Sequence, residues 1–130
     1  GERIGSLWGF KQFIENRAID VAQPDLGVVG GITEMKKVCD YAHAYDVGIQ
    51  MHCMAGPIAC AATVQVEAAI SNFVYHECLQ WNTLPVFTTI GKHDDMLIPV
   101  NGSYNIPDRP GIGQELSEEA IAGAEHILVK

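Results

Sequence analysis

The chain has 130 residues, 48% of them hydrophobic, and carries 8 basic against 16 acidic side chains for a net charge of −8. This composition is typical of one globular domain, and the length is too short for two. An acidic chain without a basic cluster disfavours nucleic acid and anionic membranes as partners. No apolar stretch approaches the roughly 20 residues of a membrane span, so no membrane association is expected.

The cysteine pattern favours reduced thiols. None of the four forms a Cys-x-x-Cys pair, and each lies in an apolar or helical stretch: Cys39, Cys53, Cys60 and Cys78. The start of the sequence lacks the basic and then apolar layout of a signal peptide. A cytoplasmic location is therefore predicted.

The first third of the chain alternates helical and extended patterns. Residues 6–16 have apolar side chains at helical spacing, which predicts a helix lying on a sheet. The apolar run Ala18 to Ala22 then ends at Asp25. Thr33 is predicted to cap a second helix, which continues through Tyr45. The buried stripe predicted for this helix is Met35, Val38, Cys39 and Ala42.

The stretch from Gly48 to Ala62 reads as strand, loop and helix. A short apolar run ends on His52, and a Gly-Pro pair at Gly56 and Pro57 then opens an Ala-rich segment. Pro57 suits the first turn of a helix. A titratable residue where a strand leads through a loop into a helix has the position of catalytic groups in an α/β barrel.

Four polar residues end successive units of this kind: Glu2, Asp25, His52 and Glu77, at intervals of 23, 27 and 25 residues. A near-constant step of this size fits one βα unit, so these side chains are predicted to lie together on one rim of a parallel sheet. A full barrel needs about 250 residues and eight units. The chain therefore reads as half of a TIM-type (β/α) barrel, and its start at Gly1 suggests a fragment of a longer protein.

The tail does not repeat the βα period. Residues 85–90 and 97–100 are β-prone runs, residues 104–113 have the Pro and Gly content of an irregular connection, and Ser117 is predicted to cap a helix to about Leu128. The predicted division is a half-barrel over residues 1–96 and a covering segment over 97–130.

Five ordered motifs span nearly the whole chain: Gly1-Glu2-Arg3; Gln23-Pro24-Asp25 with Gly30-Gly31-Ile32-Thr33-Glu34; His52-Cys53 with Gly56-Pro57-Ile58-Ala59; Asn72-Phe73 with Glu77; and Pro110-Gly111-Ile112-Gly113. In this order and spacing they resemble the C-terminal part of the mandelate racemase and muconate lactonizing branch of the enolase superfamily. Within it, the chain is similar to the acid-sugar dehydratases of the galactonate type. The resemblance implies the second half of the barrel, with residues 97–130 packing on the barrel or on a capping domain outside this chain.

The resemblance also implies an activity. Such enzymes bind a sugar-acid carboxylate to Mg²⁺, remove the neighbouring proton and expel water to give a 2-keto-3-deoxy acid. Glu2 matches the third metal-binding carboxylate of the family. Because Mg²⁺ takes several oxygen ligands, the others are expected in the missing N-terminal part of the protein. The alternative for Glu2 is a solvated side chain near a terminus.

His52 matches the family base and Asp25 its partner. A carboxylate beside an imidazole orients the ring and raises its proton affinity, so the pair can act as general base and then general acid. The alternatives are a core histidine bonded to backbone and a turn residue after Pro24.

Glu77 matches a glutamate that donates a hydrogen bond to the substrate carboxylate, for which it must carry a proton. A salt bridge at the rim is the alternative.

The sequence departs from the family pattern at His76, where Gln is usual, and at Met54, where Pro is frequent. Both residues are expected at the rim of the site, so the identity of the sugar acid stays open. Cys53 should face away from His52, because neighbours on a strand point to opposite faces.

Two other functions remain open from the sequence. One is a racemase, epimerase or cycloisomerase using the same enediolate, and the other is a non-catalytic structural fragment. The dehydratase hypothesis predicts a hydro-lyase in the intact protein, an inactive fragment by itself, a small-molecule sugar-acid substrate and, from the resemblance, a homo-oligomer.

Overall fold

The structure is a computed structural model that describes residues 1–79, 84–96, 98–125 and 127. Its elements, in chain order, are α1 (Ser6–Glu15), β1 (Val21–Ala22), α2 (Leu26–Val29), α3 (Ile32–His43), β2 (Gly48–Ile49), α4 (Pro57–Ala68), α5 (Pro85–Thr88) and α6 (Glu118–Gly123). None of the helices in these ranges has the length and apolar character needed to cross a bilayer.

The sheet is parallel, and the two main strands stay in one register along their whole length. β1 and β2 pair with a constant offset of 27 residues, from Val21 opposite Gly48 to Asp25 opposite His52. On its other side, β2 pairs in parallel with Phe73. The three extended segments therefore end at the same edge, as the spacing of the polar residues predicted.

The core lies between this sheet and the helices on one side of it. Helix α3 buries the whole predicted stripe, which confirms that prediction, and the sheet contributes Ile49 and Met51. The same cluster includes Phe10 and Ile14 from α1. Burying this apolar surface positions α1 and α3 behind the strands and leaves the strand ends for polar groups.

The turn between α2 and α3 depends on two glycines. Gly30 ends α2 with φ of 110°, and Gly31 begins α3 with φ of 96° and ψ of −173°. The Gly31 conformation is available essentially to glycine alone. Gly31, and not Thr33, is therefore the N-cap of α3, so the predicted cap was wrong. Thr33 lies inside the first turn.

The tail differs from the prediction in its first half. Residues 85–90 contain helix α5 and no strand: Pro85 begins the helix, where its missing N–H costs nothing. The backbone of Val100 exchanges hydrogen bonds with that of Ser103, across a turn with φ of 52° at Asn101 and 77° at Gly102. Two successive positive φ values form a tight hairpin turn in place of the expected strand. Leu97 lies outside the described residues.

The second half of the tail follows the prediction more closely. Residues 104–113 form no helix or strand. Arg109 links this segment to Asp95, because its guanidinium donates to both carboxylate oxygens of Asp95 at 2.7 and 3.1 Å. The Ser117 hydroxyl accepts a hydrogen bond from the Ala120 amide at 3.1 Å, which confirms the predicted cap. Helix α6 ends at Gly123, earlier than predicted, and Leu128 lies outside the described residues.

Candidate active site

The centre of the candidate site is a hydrogen-bonded pair of side chains. His52 Nδ1 lies 2.8 Å from Asp25 Oδ2, and the two side chains are only 13% and 14% exposed. Their contact follows from the sheet register, which sets these residues opposite each other at the ends of adjacent strands. The structure thus brings together the two residues that the sequence assigned to one dyad.

Asp25 is held in place from its other oxygen. Oδ1 accepts hydrogen bonds from the amides of Gly27 and Val28 at 2.8 and 3.1 Å and so caps α2. Being a turn residue and being a partner of His52 are therefore compatible. Because a carboxylate only accepts, Nδ1 of the imidazole must carry the hydrogen, and in the neutral ring Nε2 keeps its lone pair.

Two further carboxylates surround Nε2. Glu2 Oε2 lies 3.3 Å from His52 Nε2, and Glu77 Oε2 lies 4.0 Å from it. Glu77 Oε2 also accepts a hydrogen bond from the backbone amide of Cys53 at 2.8 Å. All four residues selected from the sequence therefore meet at one end of the sheet, around the nitrogen that can accept a proton.

The simpler interpretations of these residues fit less well. Among the residues that the structure describes, the ring of His52 contacts carboxylates and no backbone carbonyl, unlike a histidine satisfied in a core. Within the described ranges, His52 is the one basic group that lies as close as 4.0 Å to Glu77. A rim salt bridge to lysine or arginine is therefore absent from that part of the chain.

Glu2 has the properties of one ligand to a hard cation. Its side chain is 46% exposed, against 22% for Glu77 and 14% for Asp25. Arg3, the other charged group near Glu2, lies 3.6 Å away. Mg²⁺ needs about six oxygen ligands, several of them commonly carboxylates and waters. The carboxylate fits the ion, but the described residues supply only part of a complete ligand set.

Comparison with known proteins identifies the family. The family described as "Enolase C-terminal domain-like" matches residues 1–120. The chain belongs to this family. The predicted fold class, a TIM-type α/β barrel, is thereby confirmed, and the small parallel sheet with its outer helices is the part of the enolase-family barrel contained in this chain.

The relatives of this enolase-family chain include dehydratases. A D-galactonate dehydratase from Cronobacter sakazakii is 36% identical over 124 residues, covering 93% of this chain and 32% of that protein. A solved structure of an enolase superfamily member from Salmonella Typhimurium is 46% identical with a TM-score of 0.94, covering 100% of this chain and 33% of that one.

A mandelate racemase/muconate lactonizing enzyme from Sulfitobacter sp. is 32% identical with a TM-score of 0.83, covering 92% of this chain and 29% of that one. These similarities assign the chain to the branch of the enolase superfamily that the sequence motifs indicated. The chain spans about a third of the length of these proteins.

The enolase-family site has a second polar layer, which was not among the predictions made from the sequence. The expectation that His76 lies at the rim was wrong: its side chain is 7% exposed, and Nδ1 lies 2.7 Å from Glu67 Oε2 on α4. Its Nε2 lies 3.8 Å from Cys60 Sγ. The buried Cys53 side chain lies beside Cys60 and His76. It therefore faces away from His52, as predicted. By contrast, Met54 is 49% exposed.

A signal for this layer does exist in the sequence. Glu67 is the single charged residue in α4, whose other residues are mainly Ala, Val and other small or apolar types. A carboxylate on such a buried face requires a partner. The alternation of strand side chains then selects His76, since its neighbour Glu77 faces the dyad.

Burial and pairing shift the pKa values in this second layer. Burial alone would lower the pKa of His76, but hydrogen bonds to Cys53 and Glu67 outweigh it and raise the pKa to about 10. The hydrogen bond to Cys60, together with burial, raises the pKa of the Cys53 thiol far above its usual range. Cys53 is therefore a protonated thiol at neutral pH and not a nucleophile.

Proposed function

We propose that the full-length protein is a Mg²⁺-dependent hydro-lyase that dehydrates a sugar acid of the aldonate or galactonate type. The single observation that carries this proposal is the 2.8 Å contact between His52 Nδ1 and Asp25 Oδ2, with Nε2 directed at two further carboxylates. The similarity to a D-galactonate dehydratase supports the reaction class.

His52 would act first as a base. Its Nε2 takes the proton from the carbon next to the substrate carboxylate, the C–H bond breaks, and its electron pair moves into an enediolate. Asp25 keeps the hydrogen on Nδ1 and stabilises the imidazolium that forms, because its carboxylate stays 2.8 Å away. The Asp25 side chain is fixed in turn by the amides that begin α2.

The same imidazolium would then act as an acid. It returns the proton to the hydroxyl on the next carbon, the C–O bond breaks, and water leaves with both of the bonding electrons. The enol that remains tautomerises to a 2-keto-3-deoxy acid, so that substrate equals product plus water. One histidine can serve both steps because the proton that Nε2 takes up in the first step is the proton that it gives up in the second.

Glu2 and Glu77 would help to stabilise the negative charge that develops on the substrate carboxylate. Bound Mg²⁺ supplies a positive charge that stabilises the negative charge developing there. Glu2 is the proposed ligand in this chain, and the remaining ligands would come from the two thirds of the relatives' length outside it. Glu77, when protonated, would donate a hydrogen bond to a carboxylate oxygen from its position beside the Cys53 amide.

Two alternatives keep specific support. The similarity to a mandelate racemase/muconate lactonizing enzyme favours racemisation, epimerisation or cycloisomerisation through the same proton abstraction. The other alternative is the non-catalytic structural fragment, because Glu2 is the single Mg²⁺ ligand proposed in this chain. The division at residues 96 and 97, the homo-oligomer, the cytoplasmic location and the inactivity of the chain by itself stay predictions.

The test uses the full-length protein and its His52→Asn variant with Mg²⁺ and a panel of sugar acids, detecting 2-keto-3-deoxy products. Asn can still donate to Asp25 from near the position of Nδ1, but it has no atom at the position of Nε2. His43→Asn is the matched control, because His43 is an exposed residue in the last turn of α3.

Turnover by the wild type and the control, lost in His52→Asn, is the expected result. A second readout is exchange of the substrate α-hydrogen with deuterated water, which reports proton abstraction without dehydration. Exchange without dehydration would favour a racemase or epimerase. Full turnover in His52→Asn would refute the assignment of the base, and failure of the wild type to bind Mg²⁺ would favour the non-catalytic alternative.

A further inference from the structure

The second polar layer contains a convergence of metal-binding atoms. One sulfur each from Cys53 and Cys60 and one ring nitrogen of His76 all lie within 4.8 Å of one another. We propose that these three residues, the thiol–imidazole cluster, bind a thiophilic divalent cation of the Zn²⁺ type behind the candidate active site. This proposal is independent of the proposed dehydratase function, because it uses different side chains on the opposite face of the strands.

The separations suit the size of such an ion. Tetrahedral zinc with bonds of about 2.3 Å to sulfur and about 2.0 Å to nitrogen holds its ligand atoms roughly 3.5–3.8 Å apart. The Cys60 Sγ to His76 Nε2 distance is already 3.8 Å. Since no ligand pair exceeds 4.8 Å, closure around an ion needs movements of about 1 Å or less.

The imidazole is oriented as a metal ligand. Nδ1 of His76 contacts Glu67 Oε2 at 2.7 Å, and this contact turns Nε2 towards the sulfurs. Histidine ligands commonly donate their other ring N–H to a carboxylate, which fixes the tautomer and makes the ligand more basic. The second oxygen of Glu67, Oε1, is buried and has no hydrogen-bond partner among the described residues. A bound cation would keep a positive charge near this carboxylate after the imidazole gives up its proton to the metal.

The other two cysteines show that burial alone does not produce this arrangement. Cys39 is fully buried in the apolar core, where burial raises the pKa of its thiol to about 12. Cys78 is exposed and accepts a hydrogen bond from the Tyr104 hydroxyl. Neither belongs to the cluster that could hold an ion in the described part of the chain. The two residue types that soft cations prefer therefore meet at one place.

The bound ion would stabilise the scaffold of the active site. Cys53 follows His52, and His76 precedes Glu77, while Cys60 lies in the first turn of α4. One ion would thus join two strand ends to the helix behind them. The described residues provide three ligands, which leaves a fourth position for water or another group. A cavity of about 550 Å³ borders this layer at Glu67 and His76.

Metal and protons compete for the same atoms. The pKa of the Cys53 thiol and that of the His76 imidazole are both raised, so the ion must displace a proton from each of these two residues on binding. Mg²⁺, a hard cation that prefers oxygen, should not compete for this cluster. Binding of Zn²⁺ that survives excess Mg²⁺ would therefore distinguish the cluster from the carboxylate site.

The experiment is a titration of the reduced, metal-free full-length protein with Co²⁺ and then Zn²⁺, in excess Mg²⁺. We expect one equivalent of Co²⁺ to produce sulfur-to-cobalt charge-transfer absorption, which Zn²⁺ then removes. Cys60→Ser should abolish this absorption, whereas the matched controls Cys39→Ser and Cys78→Ser should retain it. Glu67→Gln, which removes the charge behind the imidazole, should weaken affinity by about 10–100-fold.

X-ray absorption of the zinc-loaded wild type provides a test that needs no variant to fold. The expected coordination has two sulfurs at about 2.3 Å and one nitrogen at about 2.0–2.1 Å. A folded wild type without the cobalt–thiolate absorption, an unchanged spectrum in Cys60→Ser, or a zinc shell of oxygens alone would each overturn the proposal.

Discussion

Replacing Asp25 by Asn tests the dyad most directly, because it separates the two functions of this side chain. The Asn carbonyl oxygen can still accept the amide hydrogen bonds that begin α2. Asn and Asp are about equally good N-caps, so the free energy of unfolding should change by only a few tenths of a kcal/mol. The group facing His52 Nδ1 becomes an amide N–H₂, which donates where the carboxylate accepted.

This reversal should place the imidazole in the wrong tautomer. Nδ1 would become the acceptor, Nε2 would carry the hydrogen, and Nε2 could no longer take a proton from the substrate. The variant also loses the negative charge 2.8 Å from the ring that stabilises the imidazolium. General acid–base catalysis is worth about 10²–10⁴-fold, so kcat should fall by that factor, or about 3–5 kcal/mol in activation free energy.

The assay compares kcat of the wild type, Asp25→Asn and the double variant with His52→Asn, using the sugar acid that the wild type turns over. Because the two side chains act as a unit, the double variant should lose little more activity than His52→Asn alone. Asp20→Asn is the matched control: this exposed residue lies near the opposite end of β1 and should retain full activity.

Nitrogen-15 NMR of the ring gives an answer even without a known substrate. In the wild type the hydrogen should reside on Nδ1 of His52, and in Asp25→Asn on Nε2. If the ring keeps the same tautomer in both proteins, or if Asp25→Asn retains wild-type kcat, the orienting role of Asp25 is refuted. A kcat loss that merely follows a loss of folded protein in urea denaturation would count against it equally.

Three further predictions concern the scaffold. Gly31→Ala should cost about 1–3 kcal/mol of unfolding free energy in urea denaturation, because its φ of 96° suits only glycine although no atom lies within 4 Å; Gly123→Ala, inside α6, should be neutral or stabilising. Asn72→Leu should cost about 1–3 kcal/mol, because the amide donates to two main-chain carbonyls at 2.9 and 3.1 Å; a neutral result would show that water replaces it. Arg109 lowers the pKa of Asp95, so this pair stabilises the fold above the unfolded pKa and loses its effect as pH falls through the folded pKa. Because the pair is half-exposed, Asp95→Asn should lower the free energy of unfolding by less than about 1 kcal/mol at neutral pH and leave it unchanged in acid. A difference between variant and wild type that stays constant across pH would contradict this prediction.

The candidate site was predictable because its spacing matches the sheet register. Asp25 and His52 are 27 residues apart, and the same offset relates Val21 to Gly48 in the paired strands. Apolar runs that end in polar residues mark the strand ends, and parallel pairing aligns those ends. Glu77 does not lie directly opposite His52. Its side chain nevertheless extends past the Cys53 amide, to which it is hydrogen-bonded, and approaches the His52 ring.

Local pattern failed where packing competed with propensity. Residues 85–90 have the composition of a strand, but no strand in the described part of the chain pairs with them. Pro85 begins α5 instead, and Phe87 is buried beside the thiol–imidazole cluster. Thr33 has the ideal type for a cap, but the chain reverses at Gly30 and Gly31 and begins α3 earlier. Short segments adopt the structure that buries their apolar side chains, whatever their propensity.

The sequence by itself determined the parallel order of the strands and the four polar residues at their ends, since hydrophobic runs and βα spacing are local properties of the chain. Only the tertiary structure decided that Glu67, His76 and two cysteines form a buried layer behind the site. That layer depends on how α4 packs against the strand ends, which fixes distances between residues far apart in sequence. The physical reason is that the sequence specifies which faces are apolar, whereas contacts between two packed faces are set by their relative position.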